Sequence, residues 1–168
     1  MRLPELGDRA QGWVWLQALL MAAIPIVGGL AAPWPGTVRT TMVVVGAVIV
    51  LTGCALLAVA ILGLGDAFAV DPQPAARATL VTSGVYGRAR HPIYGGWILV
   101  ALGFGLALSP WALPLVGLLV VELWGKSTVE ERRLEARYPD YPSYRARVPA
   151  RFLPIRAARA PLHPSASR

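Results

Sequence analysis

The sequence has 168 residues, of which 55% are hydrophobic and only 15% charged, with a mean hydropathy of +0.53. Soluble domains carry about 25% charged residues, so this composition disfavours a soluble protein and favours one compact membrane unit. The net charge is +7, and ten of the sixteen Lys and Arg residues lie from Lys126 onward. A single cysteine, Cys54, excludes an internal disulfide and a cysteine-rich metal site.

The first apolar segment, Gly12 to Ala31, has twenty residues without a charge. At about 1.5 Å per residue, a helix of this length crosses a hydrocarbon core of about 30 Å. Pro25 predicts a kink, which neighbouring helices can tolerate in lipid. A cleavable signal peptide is the alternative. Because Glu5 and Asp8 interrupt the basic region that such a peptide needs, we expect a retained helix.

Three more apolar segments follow, and the first of them, Thr41 to Gly63, predicts a second spanning helix. The segments Tyr94 to Leu108 and Trp111 to Trp124 are each short for a spanning helix, and two residues separate them. Pro92 suits the first turn of a helix and would lengthen the third segment. The fourth continues without a helix breaker through residues 126–138. We therefore predict a tight helical hairpin whose second arm leaves the membrane; a re-entrant hairpin is the alternative.

The distribution of basic residues predicts the orientation of these four helices. Arg39 is the one basic residue of the first connecting loop, and the turn of the hairpin has none. With four crossings, all the other basic residues fall on the opposite side, which the positive-inside rule makes cytoplasmic. The prediction is an all-α polytopic integral membrane protein with both termini in the cytoplasm and a basic cytosolic C-terminal segment. The abundance of Ala, Arg and Pro suggests a bacterial plasma membrane.

A motif-rich stretch runs from Gly84 to Gly96 between the second and third helices. It places Arg90, His91 and Tyr94 around the first turn of a helix at the membrane surface. Free backbone N–H groups and the positive end of the helix dipole attract an anionic group there. The alternative for such a basic cluster is an anchor for lipid headgroups.

A second polar group lies on the fourth helix. Glu122, Lys126 and Glu130 recur every four residues, so they share one helix face and can pair along it. Acidic groups at this depth rarely face lipid, although Glu122 and Lys126 could equally form a pair that reaches toward the membrane surface. Residues 155–168 are rich in Ala, Arg, Pro and Ser, and this composition predicts a disordered tail.

The motifs of residues 64–154 occur in a characteristic order: Gly84-x-Tyr86, Arg90-His91-Pro92-x-Tyr94-x-Gly96, a helical hairpin, Lys126, Glu130-Glu131-x-x-Leu134 and Tyr141-x-x-Tyr144-x-x-x-Val148-Pro149. This ordered set resembles the isoprenylcysteine carboxyl methyltransferase family, which includes related phospholipid methyltransferases. Val85 departs from the family pattern, which often has Pro at this position, and Tyr138-Pro139 replaces a usual aromatic-Gly pair. These departures weaken the predicted shape of the loop and the identity of the acceptor more than the predicted cofactor site.

The resemblance implies a methyltransferase that uses S-adenosylmethionine and a lipid-like or prenylated acceptor entering between helices. Membrane lipids are its expected surroundings, and neither nucleic acid nor metal is expected. The resemblance implies a catalytic role for Glu130 and Arg147. It also implies a cofactor site formed by Arg90, His91, Tyr94, Gly96, Glu130, Glu131 and Tyr144. A carboxylate acceptor would need no general base, whereas an amine or thiol would need one, with Glu122 or Glu130 as candidates.

The sequence thus divides into two transmembrane helices in residues 1–63, a methyltransferase segment in residues 64–154 and the tail. Two other functions stay open. One is an NADPH-dependent membrane sterol or enone reductase, because those enzymes also carry an Arg-His-Pro-x-Tyr stretch. The other is a non-enzymatic scaffold whose basic segment binds anionic lipid. The Glu130-Glu131 pair favours the methyltransferase.

Overall fold

The computed structural model describes residues 11–65 and 80–154, and every regular element in these two ranges is helical. Five α-helices occur: α1 (Gln11–Leu30), α2 (Val38–Leu64), α3 (Pro92–Leu108), α4 (Leu113–Arg137) and α5 (Tyr141–Arg147). Two 3-10 helices, Gly84–Gly87 and Pro110–Ala112, lie before α3 and between α3 and α4. Three helical segments are long and apolar enough to cross a membrane, and α3 is a shorter apolar helix. The predicted all-α membrane fold is therefore confirmed.

The helix ends follow the signals in the sequence. Pro92 is the first residue of α3, where its missing N–H costs no hydrogen bond. Pro25 lies inside α1 without ending the helix. α4 continues without interruption from Leu113 to Arg137, as the lack of a breaker predicted. The tail 155–168, predicted to be disordered, lies outside the described residues.

Helices α2 and α3 pack backbone against backbone through paired glycines. A Cβ atom added to Gly46 would lie 2.5 Å from the carbonyl oxygen of Gly103, and one added to Gly103 would lie 2.6 Å from that of Gly46. One end of the interface has the same arrangement, since a Cβ on Gly53 would lie 2.9 Å from the oxygen of Gly96. Small residues at such spacing allow helices in a membrane to approach closely.

Helix α1 packs against α4 and α3 on the other side of the bundle. The core here consists of large aliphatic side chains with almost no exposed surface, including Ile24, Leu119 and Leu123. The outer faces of α1 and α2 instead expose large apolar side chains, such as Leu30 at 85% and Leu62 at 80%. Exposed apolar surface on this scale is unusual for a protein in water and suits helices that face lipid.

Polar contacts tie together the end of the bundle that lies opposite to the motif-rich stretch. The indole nitrogen of Trp34, in the loop between α1 and α2, donates to the carbonyl of Leu106 over 2.7 Å. The hydroxyl of Ser109, in the turn of the hairpin, donates to the carbonyl of Ala32 over 2.7 Å. Because α3 reaches this end and begins at the other, it runs the whole length of the bundle beside α2.

Candidate functional site

Residues 148–153, called here the C-terminal strap, cross the start of α3. The backbone amide of Arg90 donates to the carbonyl of Ala150 over 3.1 Å, and that of His91 donates to the carbonyl of Arg151 over 2.7 Å. A Cβ atom on Gly95 would lie 2.2 Å from the carbonyl oxygen of Phe152, so this close approach requires glycine. The strap therefore occupies two of the amides that the sequence analysis expected to be free for an anion.

Glu131 is the carboxylate that joins α4 to both α3 and the strap. Its side chain is buried, and three donors reach it: Arg90 Nε at 2.9 Å, His91 Nε2 at 3.2 Å and Arg151 Nη2 at 3.2 Å. A buried carboxylate is tolerated only when such partners replace the lost water. Both oxygens of Glu131 are thus engaged by the protein, and Glu131 does not line the two cavities described below.

Arg90 is held in the same way. Besides its bond to Glu131, its Nη1 donates to the carbonyls of Val148 and Pro149 over 2.6 and 2.8 Å. The Nη2 group has no acceptor within residues 11–65 and 80–154. Arg90 therefore fixes the strap through Nη1 while its Nε binds Glu131.

Glu130, the neighbouring carboxylate, is in a different position. Its side chain is 39% exposed, and one oxygen accepts a hydrogen bond from the Tyr94 hydroxyl. The other oxygen lies 3.6 Å from Nδ1 of His91. The His91 and Tyr94 rings stack in parallel with their centroids 5.5 Å apart. The two acids of one motif therefore differ: Glu131 is enclosed by cations, whereas Glu130 faces open space.

Two adjoining cavities lie beside Glu130. The larger has a volume of about 220 Å³ and the smaller about 190 Å³. Four tyrosines, Tyr86, Tyr138, Tyr141 and Tyr144, line the larger cavity, whereas Pro92, Ile93 and Tyr94 line the smaller one. Five residues line both: Leu64, Tyr86, Arg90, His91 and Glu130.

The tyrosine hydroxyls of the larger cavity have different partners. Tyr144 donates to the carbonyl of Tyr86 over 2.7 Å, and Tyr86 donates to the carbonyl of Ala60 over 3.3 Å. Burial raises the pKa of both phenols to about 12, so both stay protonated and keep donating at neutral pH. The hydroxyl of Tyr141 is buried and has no hydrogen-bond partner among the described residues.

Two predicted site residues lie away from both cavities. Gly96 faces α2, because a Cβ atom there would lie 2.6 Å from Cγ of Leu57. Arg147 is exposed on α5 and lines neither cavity. The structure therefore brings together Arg90, His91, Tyr94, Glu130, Glu131 and Tyr144 of the predicted set, and it separates Gly96 and Arg147 from them.

The polar face of α4 does not pair along its own helix as the spacing predicted. Lys126 Nζ instead donates to Oε1 of Gln17 on α1 over 2.7 Å. Glu122 is buried, and its two oxygens have no hydrogen-bond partner among the described residues. Within the same described ranges, no group of three His, Cys, Asp or Glu side chains is arranged to hold a metal ion.

Three residues that shape the site were not predicted from the sequence: Tyr86, Tyr141 and Arg151. Tyr86 and Tyr141 belong to the motifs but were not assigned to the site, and α5 itself was not predicted as a helix. Its signal was present, because Pro142 follows Asp140 and Tyr141 at a position suited to a first helical turn. Arg151 gave no local signal, since its partner Glu131 lies twenty residues earlier.

Comparison with known families identifies the family of the chain. The model of the isoprenylcysteine carboxyl methyltransferase (ICMT) family matches residues 44–136, which is more than half of the chain. The chain belongs to this family. The matched range contains the Arg90-His91-Pro92 and Glu130-Glu131 motifs, whereas α1 and the strap lie outside it.

Two curated proteins are similar to this ICMT-family chain. The protein-S-isoprenylcysteine O-methyltransferase of Rattus norvegicus is 31% identical over 122 residues, which are 69% of this chain and 43% of the relative. The cobalt-zinc-cadmium resistance protein CzcN of Cupriavidus metallidurans is 37% identical over 76 residues, which are 44% of this chain and 35% of that protein. The chain thus matches less than half the length of each relative. No solved structure matches it.

Proposed function

We propose that this chain is a membrane methyltransferase that takes its methyl group from S-adenosylmethionine and transfers it to a lipid-like or prenylated acceptor. The observation that carries the proposal is the pair of adjoining cavities that meet at Arg90, His91 and Glu130. A donor and an acceptor bound in two such spaces would bring their reacting atoms together, and this alone can supply much of a methyl transfer's rate. Family membership and the relative in Rattus norvegicus support the reaction class.

The larger cavity suits the cofactor by its chemistry. The faces of its four tyrosines are electron-rich and favour the positive sulfonium, and the carboxylate of Glu130 favours the same charge. The hydroxyl of Tyr141, which has no hydrogen-bond partner among the described residues, would be a donor for the cofactor's polar groups. When bound, S-adenosylmethionine supplies an already activated methyl group, so the protein's task is to position it and to exclude water.

The smaller cavity suits the acceptor. Its wall combines the apolar side chains of Leu64, Pro92 and Ile93 with the polar ends of Tyr94 and Glu130. An apolar tail could enter from the lipid beside Leu64 and Ile93, with the reacting group held near Glu130. We propose Glu130 as the residue that orients this group, and as its base where the acceptor is an amine or thiol. Arg147 is left out of the proposal because its exposed side chain lines neither cavity.

Each cavity is smaller than the range of about 300–1,000 Å³ that is usual for small-molecule sites, and we propose that side chains move when the cofactor binds. Within the bundle, we propose that residues 1–63 support the site and that residues 64–154 bear it. The membrane is proposed to be a bacterial plasma membrane, with the site on its cytoplasmic side.

Calorimetry of detergent-purified protein tests the proposal, with S-adenosylmethionine and NADPH titrated separately. We expect micromolar binding of S-adenosylmethionine alone. Binding of NADPH alone would indicate a reductase, and binding of neither would favour a scaffold. Glu130→Gln is expected to keep the wild-type melting temperature and to lose methyl transfer to an S-farnesylcysteine derivative. Glu131→Gln is its matched control. It is expected to lower the melting temperature, because removing one partner of a buried ionic cluster costs about 3–5 kcal/mol of stability.

A further inference from the structure

Helix α1 reaches the site through one polar side chain. Gln17 lies on an otherwise apolar stretch of α1, and its Oε1 accepts the hydrogen bond from Lys126 Nζ over 2.7 Å. The two helices are close here, because the ring of Trp13, one turn earlier, lies against Gly125 of α4. The hydrophobic effect does not explain an amide and an ammonium group at such a packed helix interface, since the burial of either group in an apolar environment costs free energy.

A second neighbour of Lys126 is an aromatic ring of the site. Its Nζ lies 5.1 Å from the centroid of the Tyr94 ring, within the range in which a cation is attracted to an aromatic face. The hydroxyl of the same ring donates to Glu130. Contacts therefore run without a gap from Gln17 on α1 through Lys126 and Tyr94 to the half-exposed carboxylate.

We propose that Lys126 is a positioning residue that fixes Tyr94, and through it Glu130, and that Gln17 holds Lys126 in place. The inference rests on the proposed methyl transfer and adds α1 to the parts that shape its site. Tyr94 lines the smaller cavity and not the larger one, so we expect Lys126 to act mainly on the acceptor, although Glu130 lines both cavities.

Two features of the structure make this assignment specific to Lys126. No Asp or Glu side chain lies within ion-pair distance of its ammonium among the described residues, although Glu122, one turn earlier on α4, interacts with it electrostatically. The direct contacts of the ammonium are therefore those with Gln17 and with the Tyr94 ring. The Tyr94 ring is also stacked on His91 and meets Phe152 edge-on at 6.5 Å, so a shift of this ring would disturb its contacts with both neighbours.

The first test needs no substrate. In protein labelled with ¹³C at tyrosine, the Tyr94 resonance is assigned with Tyr94→Phe. Lys126→Met and Gln17→Leu are expected to shift it, and Lys126→Arg to leave it near its wild-type position. Leu20→Ala is the matched control, because it truncates a buried α1 side chain of the same interface without touching Gln17. An unshifted resonance in Lys126→Met, or an equal shift in Leu20→Ala, overturns the inference.

Kinetics with an S-farnesylcysteine derivative give the second test. Lys126→Met should lower kcat/KM for the acceptor about tenfold, with a Kd for S-adenosylmethionine within about twofold of wild type. Gln17→Leu should lower it about fivefold, and the double variant should be no worse than Lys126→Met, because coupled residues are not additive. Additive losses, or a loss confined to cofactor affinity, contradict the proposed role. A wild-type protein that binds no S-adenosylmethionine and transfers no methyl group instead refutes the proposed function.

Discussion

Tyr141 and Tyr144 are almost equally buried on α5, yet their hydroxyl groups have different partners. Tyr144 donates to the carbonyl of Tyr86, whereas Tyr141 has no partner among the described residues although it lines the larger cavity. A buried hydroxyl without a partner carries a desolvation cost that a ligand's acceptor could remove. The hydroxyl of Tyr144 is therefore structural, whereas that of Tyr141 is available to a ligand.

Replacing each of the two tyrosines by phenylalanine should have opposite effects. Tyr144→Phe leaves the Tyr86 carbonyl unpaired and should lower stability by about 1 kcal/mol, seen as a lower melting temperature. Tyr141→Phe should leave the melting temperature unchanged or raise it slightly, and should weaken S-adenosylmethionine binding about fivefold in calorimetry. Wild-type affinity in Tyr141→Phe would show that this hydroxyl does not face the cofactor.

A residue's role in the site can be predicted when its contacts are close in sequence, and not when they are far along the chain. Arg90, His91 and Tyr94 were predicted together because a helix start brings neighbours in sequence onto one surface. The spacing of Glu130 and Glu131 gave no sign that one would be exposed and the other enclosed. That difference depends on donors far from Glu131 in sequence: Arg90 and His91 before α3, and Arg151, which reaches α4 only after the chain has turned back through α5.

The close packing of α2 against α3 predicts that a larger residue at their interface lowers stability. Gly103→Ala would place a Cβ 2.6 Å from the Gly46 carbonyl oxygen and within 3 Å of the Val50 backbone, neither of which can give way easily. We expect a clearly lower melting temperature, with a loss of about 1–3 kcal/mol as for overpacking elsewhere. Gly117→Ala on α4 is the control, because its Cβ meets nothing within 4 Å.

The control should be neutral or stabilising, since alanine is favoured over glycine inside a helix by up to about 1 kcal/mol. Equal melting temperatures for Gly103→Ala and Gly117→Ala would mean that the two helices are not packed as closely as described. Activity should fall with stability in Gly103→Ala, because α3 also carries Tyr94 at its first turn.

The boundaries of the helices were predicted better than the contacts between helices. The boundaries of α1 to α4 follow from runs of apolar residues and from Pro92, which are local features of the chain. The pairing of α2 with α3 depends on four glycines, Gly46, Gly53, Gly96 and Gly103, whose spacing became meaningful only when the two helices were seen side by side. For this reason Gly96 was assigned to a cofactor site and is found facing α2.

At the scale of the whole molecule, charge separates the two ends of the bundle. The end with the α1–α2 loop and the hairpin turn carries Arg39 among the described residues. The other end carries the basic residues of the site, α4, α5 and the strap: Arg88, Arg90, Lys126, Arg132, Arg133, Arg137, Arg145, Arg147 and Arg151. By the positive-inside rule, we expect the end that bears the cavities to lie in the cytoplasm.

Accessibility of single cysteines to a membrane-impermeant maleimide in intact bacteria measures this orientation. In a Cys54→Ala background, Thr37→Cys lies exposed in the α1–α2 loop and Ser143→Cys lies exposed on α5. We expect Thr37→Cys to react in intact cells, and Ser143→Cys to react only after the membrane is permeabilised. The reverse pattern would place the site outside the cell, away from the cytoplasmic supply of S-adenosylmethionine. Because the two positions lie at opposite ends of one bundle, labelling of both in intact cells would contradict the four-helix crossing itself.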